Sequence, residues 1–135
     1  MPYDMKRLRA LMKPMRLLVV DDEEVMLLKT SALMRKFFDN VDNAHNGEEA
    51  LAFFNAGLRY DVVLTDVHMP SMDGWELIAR LRVISPDLFI GAMSGSATEE
   101  REKLYMCDEY LKKPATLDDM MSFLGKVAQK RKLND

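Results

Sequence analysis

Five residues spread along the chain have the types that phosphoryl chemistry needs: Asp21, Asp22, Asp66, Ser94 and Lys113. Three carboxylates brought together repel one another and resist joint ionisation unless a cation compensates. Hard oxygen donors without a His or Cys cluster select Mg2+ or Mn2+ rather than zinc. A carboxylate surrounded by such an ion, a lysine and a hydroxyl makes a phosphoryl-acceptor site. The positive charges neutralise the phosphoryl oxygens while the carboxylate attacks in line. Each piece has a plainer explanation when taken alone. An acidic pair after a strand suits a helix N-terminus, and Lys-Pro is common in turns. The set gains meaning only if the fold gathers it in one place.

The pattern of apolar residues supplies that fold. Leu17 to Val20 reads as a buried strand ended by four acids, Asp21 to Glu24. A helix follows, with Met26, Leu33, Met34 and Phe37 expected on one face. Val41 to His45 reads as a short strand, and Asn46-Gly47 turns into a helix holding Ala50, Leu51 and Phe54. Asp61 to Thr65 is the third strand and stops at Asp66. Beyond Asp73-Gly74 a helix carries Leu77, Leu81 and Ile84 up to Pro86, and Leu88 to Ala92 makes the fourth strand. The charged stretch from Ala97 to Met106 reads as a short helix, and Glu109 to Leu111 as a fifth strand. Thr116 and Asp119 form a capping box opening a last helix with Leu117, Met120, Met121, Leu124, Val127 and Ala128 in a stripe. Alternating β and α elements predict an α/β domain, a parallel sheet covered by helices on both faces. Ligands in such a sheet sit outside the carboxyl ends of the strands. All five chemistry-bearing residues fall at those ends.

The 135 residues suit one domain, and the 48% apolar content is that of a globular protein. A single cysteine, Cys107, excludes an intrachain disulfide and favours a reducing compartment. No apolar run is long enough for a membrane span and no secretory h-region is visible, so the expected location is cytoplasmic, without membrane contact. Net charge is −3, but residues 17–125 hold 10 basic and 20 acidic side chains. Such a body repels phosphate and argues against direct nucleic-acid binding. The basic ends, Lys6 to Arg16 and Lys126 to Lys132, read as solvated termini or as contacts for an acidic partner. Residues 1–14 read as a basic extension with Met5, Leu8 and Met12 at helical spacing, 15–131 as the domain and 132–135 as a tail. The 12 methionines read as core filler and Cys107 as a small, redox-silent side chain. Trp75 lies near the site by sequence.

Four segments resemble the receiver domain of bacterial two-component response regulators, the CheY-like family. The most specific is Asp61-Val-Val-Leu-Thr-Asp66-Val-His-Met-Pro70-Ser-Met-Asp-Gly74, similar to the family's phosphoacceptor motif. Leu18-Val-Val-Asp21-Asp22-Glu resembles its acidic-pair motif. Ala44-His-Asn-Gly47-Glu-Glu-Ala50-Leu51 and Tyr110-Leu-Lys-Lys113-Pro114 resemble its second-strand and closing motifs. The resemblance implies a flavodoxin-like sheet of five parallel strands in the order 2-1-3-4-5. It also implies that Asp66 is the phosphorylated residue. Mg2+ or Mn2+ would be held by Asp22, by Asp21 directly or through water, by Asp66 and by the backbone carbonyl of His68. Lys113 would pair with phosphoryl oxygens, and Ser94 and Tyr110 would be the switch hydroxyl and aromatic. The implied phosphodonor is a histidine kinase or histidine phosphotransfer protein. Output would go to an unidentified downstream protein, from a monomer or a phosphorylation-dependent dimer.

Two departures stand out. The Ser94–Lys113 segment is about three residues shorter than usual, nearly one helical turn, so its helix should be short. Met106-Cys107 replaces the usual Gly-Ala. No effector follows the domain in the sequence, which suits a stand-alone receiver, while the basic C-terminus also suits a receiver cut from a DNA-binding regulator or hybrid kinase. A Mg2+-dependent aspartyl-phosphate hydrolase is the competing enzyme class. It would need a second Asp two residues after the nucleophile, where this chain has His68. A fold-only interaction module would have lost part of the acidic pair, Asp66 or Lys113.

Overall fold

Alternation of side chains along the strands divides the core into two layers. The computed structural model describes residues 4–95 and 101–134. Strands β1 (Arg16–Val20), β2 (Asn40–Ala44), β3 (Val62–Asp66), β4 (Phe89–Ser94) and β5 (Glu109–Lys112) pair in parallel in the expected order β2-β1-β3-β4-β5. Around them lie α1 (Met5–Met12), α2 (Glu24–Met34), α3 (Gly47–Asn55), α4 (Gly74–Ile84) and α5 (Leu117–Asn134). On one face Leu17, Val19, Val62 and Leu64 meet Leu27 and Met34 of α2 and Met120, Phe123 and Leu124 of α5. On the other, Leu18, Val20, Val63 and Ile90 meet Phe54 of α3 and Leu77, Ile78 and Leu81 of α4. The period-2 geometry of a strand puts neighbours on opposite faces, so both sides of the sheet are apolar and covered. None of the helices described is long and apolar enough to cross a membrane.

Helix starts carry their own signals. Asn46 Oδ1 accepts from the Glu49 amide at 2.7 Å, opening α3, and Asp73 Oδ1 accepts from the Glu76 amide at 2.9 Å, opening α4. Thr116 and Asp119 form the expected reciprocal box: the Asp119 amide donates to Thr116 Oγ1 at 3.1 Å and the Thr116 amide to Asp119 Oδ2 at 2.9 Å.

Several expectations need correction. Ser94 is the last residue of β4 rather than the residue after it. Helix α2 ends at Met34, so Phe37 is buried from the following turn and not from the helix. Its buried side is Leu27, Thr30, Ser31 and Met34, with Met26 and Leu33 only half-buried. Ile84 and Leu117 are exposed, while Phe123, outside the expected stripe, is 1% exposed. Phe123 fills the space over Gly91, where a β-carbon would lie 2.6 Å from its ring. The N-terminal extension, by contrast, keeps the helix that the spacing of Met5, Leu8 and Met12 suggests: α1 packs against α5 and buries Leu8 and Met12 in the first core layer. Helix α5 runs past Arg131 to Asn134, into the expected tail. The expected 97–106 helix is a 3-10 turn at Arg101–Met106, and 97–100 lie outside the described residues.

That turn is held from outside. Arg82, near the end of α4, donates to the Met106 carbonyl at 3.1 Å, the Leu88 carbonyl at 2.7 Å and Asp108 Oδ2 at 2.9 Å. The same Asp108 oxygen accepts from the Ile90 amide at 2.8 Å. The β4–β5 connection is therefore fastened to α4 by charge-assisted bonds.

Candidate functional site

Strand register brings the chemistry-bearing residues to one rim. Val20 lies opposite Thr65, Asp66 opposite Met93 and Ser94 opposite Lys112. The ends of β1, β3 and β4 and the residue after β5 thus lie side by side. Asp21 is fully buried there, Asp66 is 4% exposed and Asp22 is exposed. One carboxylate oxygen from each of the three lies within 4.8 Å of the others. Lys113 reaches them from the end of β5: its Nζ is 3.0 Å from Asp21 Oδ2 and 3.2 Å from Asp66 Oδ2. The Lys113 amide donates to the Ser94 carbonyl at 2.8 Å, which seats the lysine at the end of β4. Ser94 itself is fully buried.

The backbone shapes the pocket as much as the side chains do. Asp21 Oδ1 accepts from the Glu23 amide at 3.0 Å, bending the acidic run away from β1. Asp66 Oδ1 accepts from the His68 amide at 3.2 Å, while the His68 side chain is exposed. Gly74 opens α4 directly against β3. A β-carbon there would lie 2.3 Å from the Asp66 carbonyl oxygen and 2.6 Å from Val67 Cα, distances only glycine tolerates. In the loop between them, Ser71 has φ 68°, a left-handed conformation uncommon for a non-glycine residue.

Electrostatics follow from this packing. Burial pushes the Asp66 carboxyl above its usual value, and the charge of Asp21 adds to the effect; Lys113 and the His68 amide work the other way. Burial opposes the Lys113 ammonium, yet the hydrogen bond to Asp21 and the charges of Asp66 and Asp21 hold its pKa above the ordinary lysine range. The Lys113 ammonium lies against Asp21 and Asp66, and all donors in the Asp21, Asp22 and Asp66 trio are hard oxygens. A divalent cation of the Mg2+ class fits that donor set and its charge.

Asp21, Asp22, Asp66 and Lys113 are thus brought together, and Ser94 is joined to them through Lys113. Tyr110, in the middle of β5, is instead stacked on Trp75, with ring centroids 6.5 Å apart and planes 5° from parallel. Two participants escaped the sequence reading. Glu23 approaches Lys113 Nζ at 3.7 Å, and its place two residues after Asp21 was the available signal. In the sequence Gly74 stands only before a helix and at the end of the phosphoacceptor-like segment; its contact with Asp66 has no signature beyond the Asp-Gly pair.

The chain matches the response regulator receiver domain family over residues 17–124. It belongs to that family and has its CheY-like fold. Over 110 residues it is 34% identical to the autoinducer 1 sensor kinase/phosphatase LuxN of Vibrio campbellii, a match covering 80% of this chain and 13% of LuxN. The chain therefore spans only a small part of that relative. A response regulator receiver domain protein from Clostridium thermocellum superposes with a TM-score of 0.80 at 27% identity, covering 90% of this chain and 99% of that one. The response regulator TrrA of Thermotoga maritima, solved in complex with Mg(2+)-BeF, is 32% identical with a TM-score of 0.73, covering 86% of this chain and 99% of TrrA.

Proposed function

We propose that this receiver accepts a phosphoryl group on Asp66 from a phosphohistidine and thereby switches its contacts with other proteins. The observation that carries the reading is the Lys113 ammonium bridging buried Asp21 and Asp66 beside a third carboxylate. The phosphodonor is a histidine kinase or histidine phosphotransfer protein. In the transfer, an Asp66 carboxylate oxygen attacks phosphorus, the P–O bond forms, and the P–N bond to the donor imidazole breaks. The imidazole nitrogen leaves with the electron pair and takes up a proton.

Asp21, Asp22, Asp66 and the His68 carbonyl would hold Mg2+, which when bound supplies positive charge against the phosphoryl oxygens. The remaining work belongs to the chain. The His68 amide orients the Asp66 carboxylate, and Lys113 pairs with a phosphoryl oxygen as its hold on the carboxylates is shared. Ser94 supplies a hydroxyl to the phosphoryl group, and Tyr110 turns inward with it. The new charge is the local event and the altered surface the readout. The receiver acts on its own aspartate and not on a released substrate.

Intact mass after incubation with acetyl phosphate, with and without Mg2+, tests this on wild type and Asp66→Asn. The expected result is a Mg2+-dependent gain of one phosphoryl group that Asp66→Asn lacks. Failure of folded wild type to be labelled both by acetyl phosphate and by its phosphorylated cognate histidine kinase would overturn it.

A further inference from the structure

One line of contacts leads from Asp66 to β5 without passing through Lys113 or Ser94. It begins at the Asp66 carbonyl, against which Gly74 is packed so closely that no β-carbon fits. The Gly74 amide donates to the Val67 carbonyl at 2.9 Å, tying the first residue of α4 to the residue after the aspartate. The next residue, Trp75, is 3% exposed. Its ring lies parallel to that of Tyr110 at 6.5 Å, within the range of a favourable offset stack. Met106 and Cys107, at the end of the 3-10 turn, pack against the same core layer.

From this geometry we infer that Trp75 is a positioning residue that relays the state of Asp66 to Tyr110. The inference rests on the reading of Asp66 as phosphoacceptor. A phosphoryl group on Asp66 draws on the His68 amide and on Lys113, both of which the carboxylate now holds. Rearrangement of that loop is delivered to Gly74 because there is no slack between its Cα and the Asp66 carbonyl. Trp75 shifts with Gly74, and the indole carries the stacked phenol with it. Close-packed interiors transmit such displacements because they do not deform continuously. Trp75 takes no part in the chemistry; its effect is on where Tyr110 rests before and after labelling.

Trp75 is the sole tryptophan, so all tryptophan emission comes from this one position beside Tyr110. Acetyl phosphate and Mg2+ are added and each sample is read twice, by intact mass and by tryptophan emission. Phosphorus passes from the acetyl oxygen to Asp66 and acetate leaves. In wild type the emission change is expected to rise in step with the mass gain, and Asp66→Asn should show neither. Tyr110→Phe keeps a ring face for the indole and should keep the wild-type change. Tyr110→Leu should lose most of the emission change per phosphoryl group gained, each sample being scaled to its own mass gain. Labelled wild type with unchanged emission, or Tyr110→Leu with the full wild-type change, would overturn the relay while leaving phosphorylation intact. A folded wild type that gains no mass overturns the phosphoacceptor reading, and the relay with it.

Discussion

Gly74 and Gly47 occupy the same position, the first residue of a helix, and both are buried, yet an alanine should be received very differently at the two sites. At Gly74 the added methyl would lie 2.3 Å from the Asp66 carbonyl oxygen and 2.6 Å from Val67 Cα, both backbone atoms of a central strand or its exit. At Gly47 its nearest neighbours all belong to the Met72 side chain, with Sδ at 2.6 Å, and a thioether can swing aside. Overpacking against fixed atoms costs about 1–3 kcal/mol, against a helix-propensity gain of at most about 1 kcal/mol for alanine over glycine. Gly74→Ala is therefore expected to lose about 2 kcal/mol and Gly47→Ala to stay within about 1 kcal/mol of wild type. With a urea m-value of about 2 kcal/mol per molar, the first loss moves the unfolding midpoint by about 1 M. Urea titration followed by circular dichroism measures both. Because the displaced atom is the Asp66 carbonyl, Gly74→Ala should also slow labelling by acetyl phosphate. A Gly74→Ala protein as stable as wild type, or a Gly47→Ala protein that loses more, would refute the reasoning.

In metal-free buffer, Asp66→Asn should be more stable than wild type at neutral pH. Burial raises the folded-state pKa of Asp66 above 3.8, so the unfolded chain releases its proton first as pH rises. Wild type loses stability across that window while the asparagine does not titrate; the gap should close on acidification towards the ordinary carboxylate value, and urea midpoints from neutral to acid pH that diverge instead contradict it. Leu8→Ala should cost about 2–4 kcal/mol in thermal or urea unfolding, as for other buried leucines, because α1 is part of the core; a loss under about 0.5 kcal/mol would mean the helix is detached in solution. Thr116→Ala removes one half of the capping box and should cost about 1 kcal/mol by the same assay, with Thr116→Ser recovering most of it.

The strands and the acidic trio were legible because both follow short-range rules. A four-residue apolar run followed by Asp21-Asp22, set in a chain of alternating β and α patterns, reads as a buried strand, and the sheet order brings its end beside that of β3. Helix faces were harder. Ser31 and Thr30 of α2 are buried at positions where an apolar count looks past them; the Ser31 hydroxyl donates to Asn43 Oδ1 on β2, a partner remote in sequence. Phe123 escaped the stripe of α5 because its place is created by the missing side chain of Gly91, a complementarity between two elements that neither contains alone. The same holds at the site. Lys113 could be expected at the rim from its place after β5, but the stack of Trp75 on Tyr110 depends on how α4 lies across the sheet.

The contacts at the two ends of α4 make that helix a rod pinned twice. Its first residue rests on the Asp66 carbonyl, and Arg82, eight residues on, is bonded to Met106, Leu88 and Asp108. At 1.5 Å per residue the pins stand about 12 Å apart, so a tilt of only about 5° about the Gly74 end carries Arg82 by about 1 Å. That is enough to stretch its 2.7 Å bond to Leu88 beyond hydrogen-bond length. Small motions at the aspartate are thereby set against hydrogen bonds at the opposite end of the helix, where one guanidinium ties α4 both to the residue before β4 and to the end of the 3-10 turn.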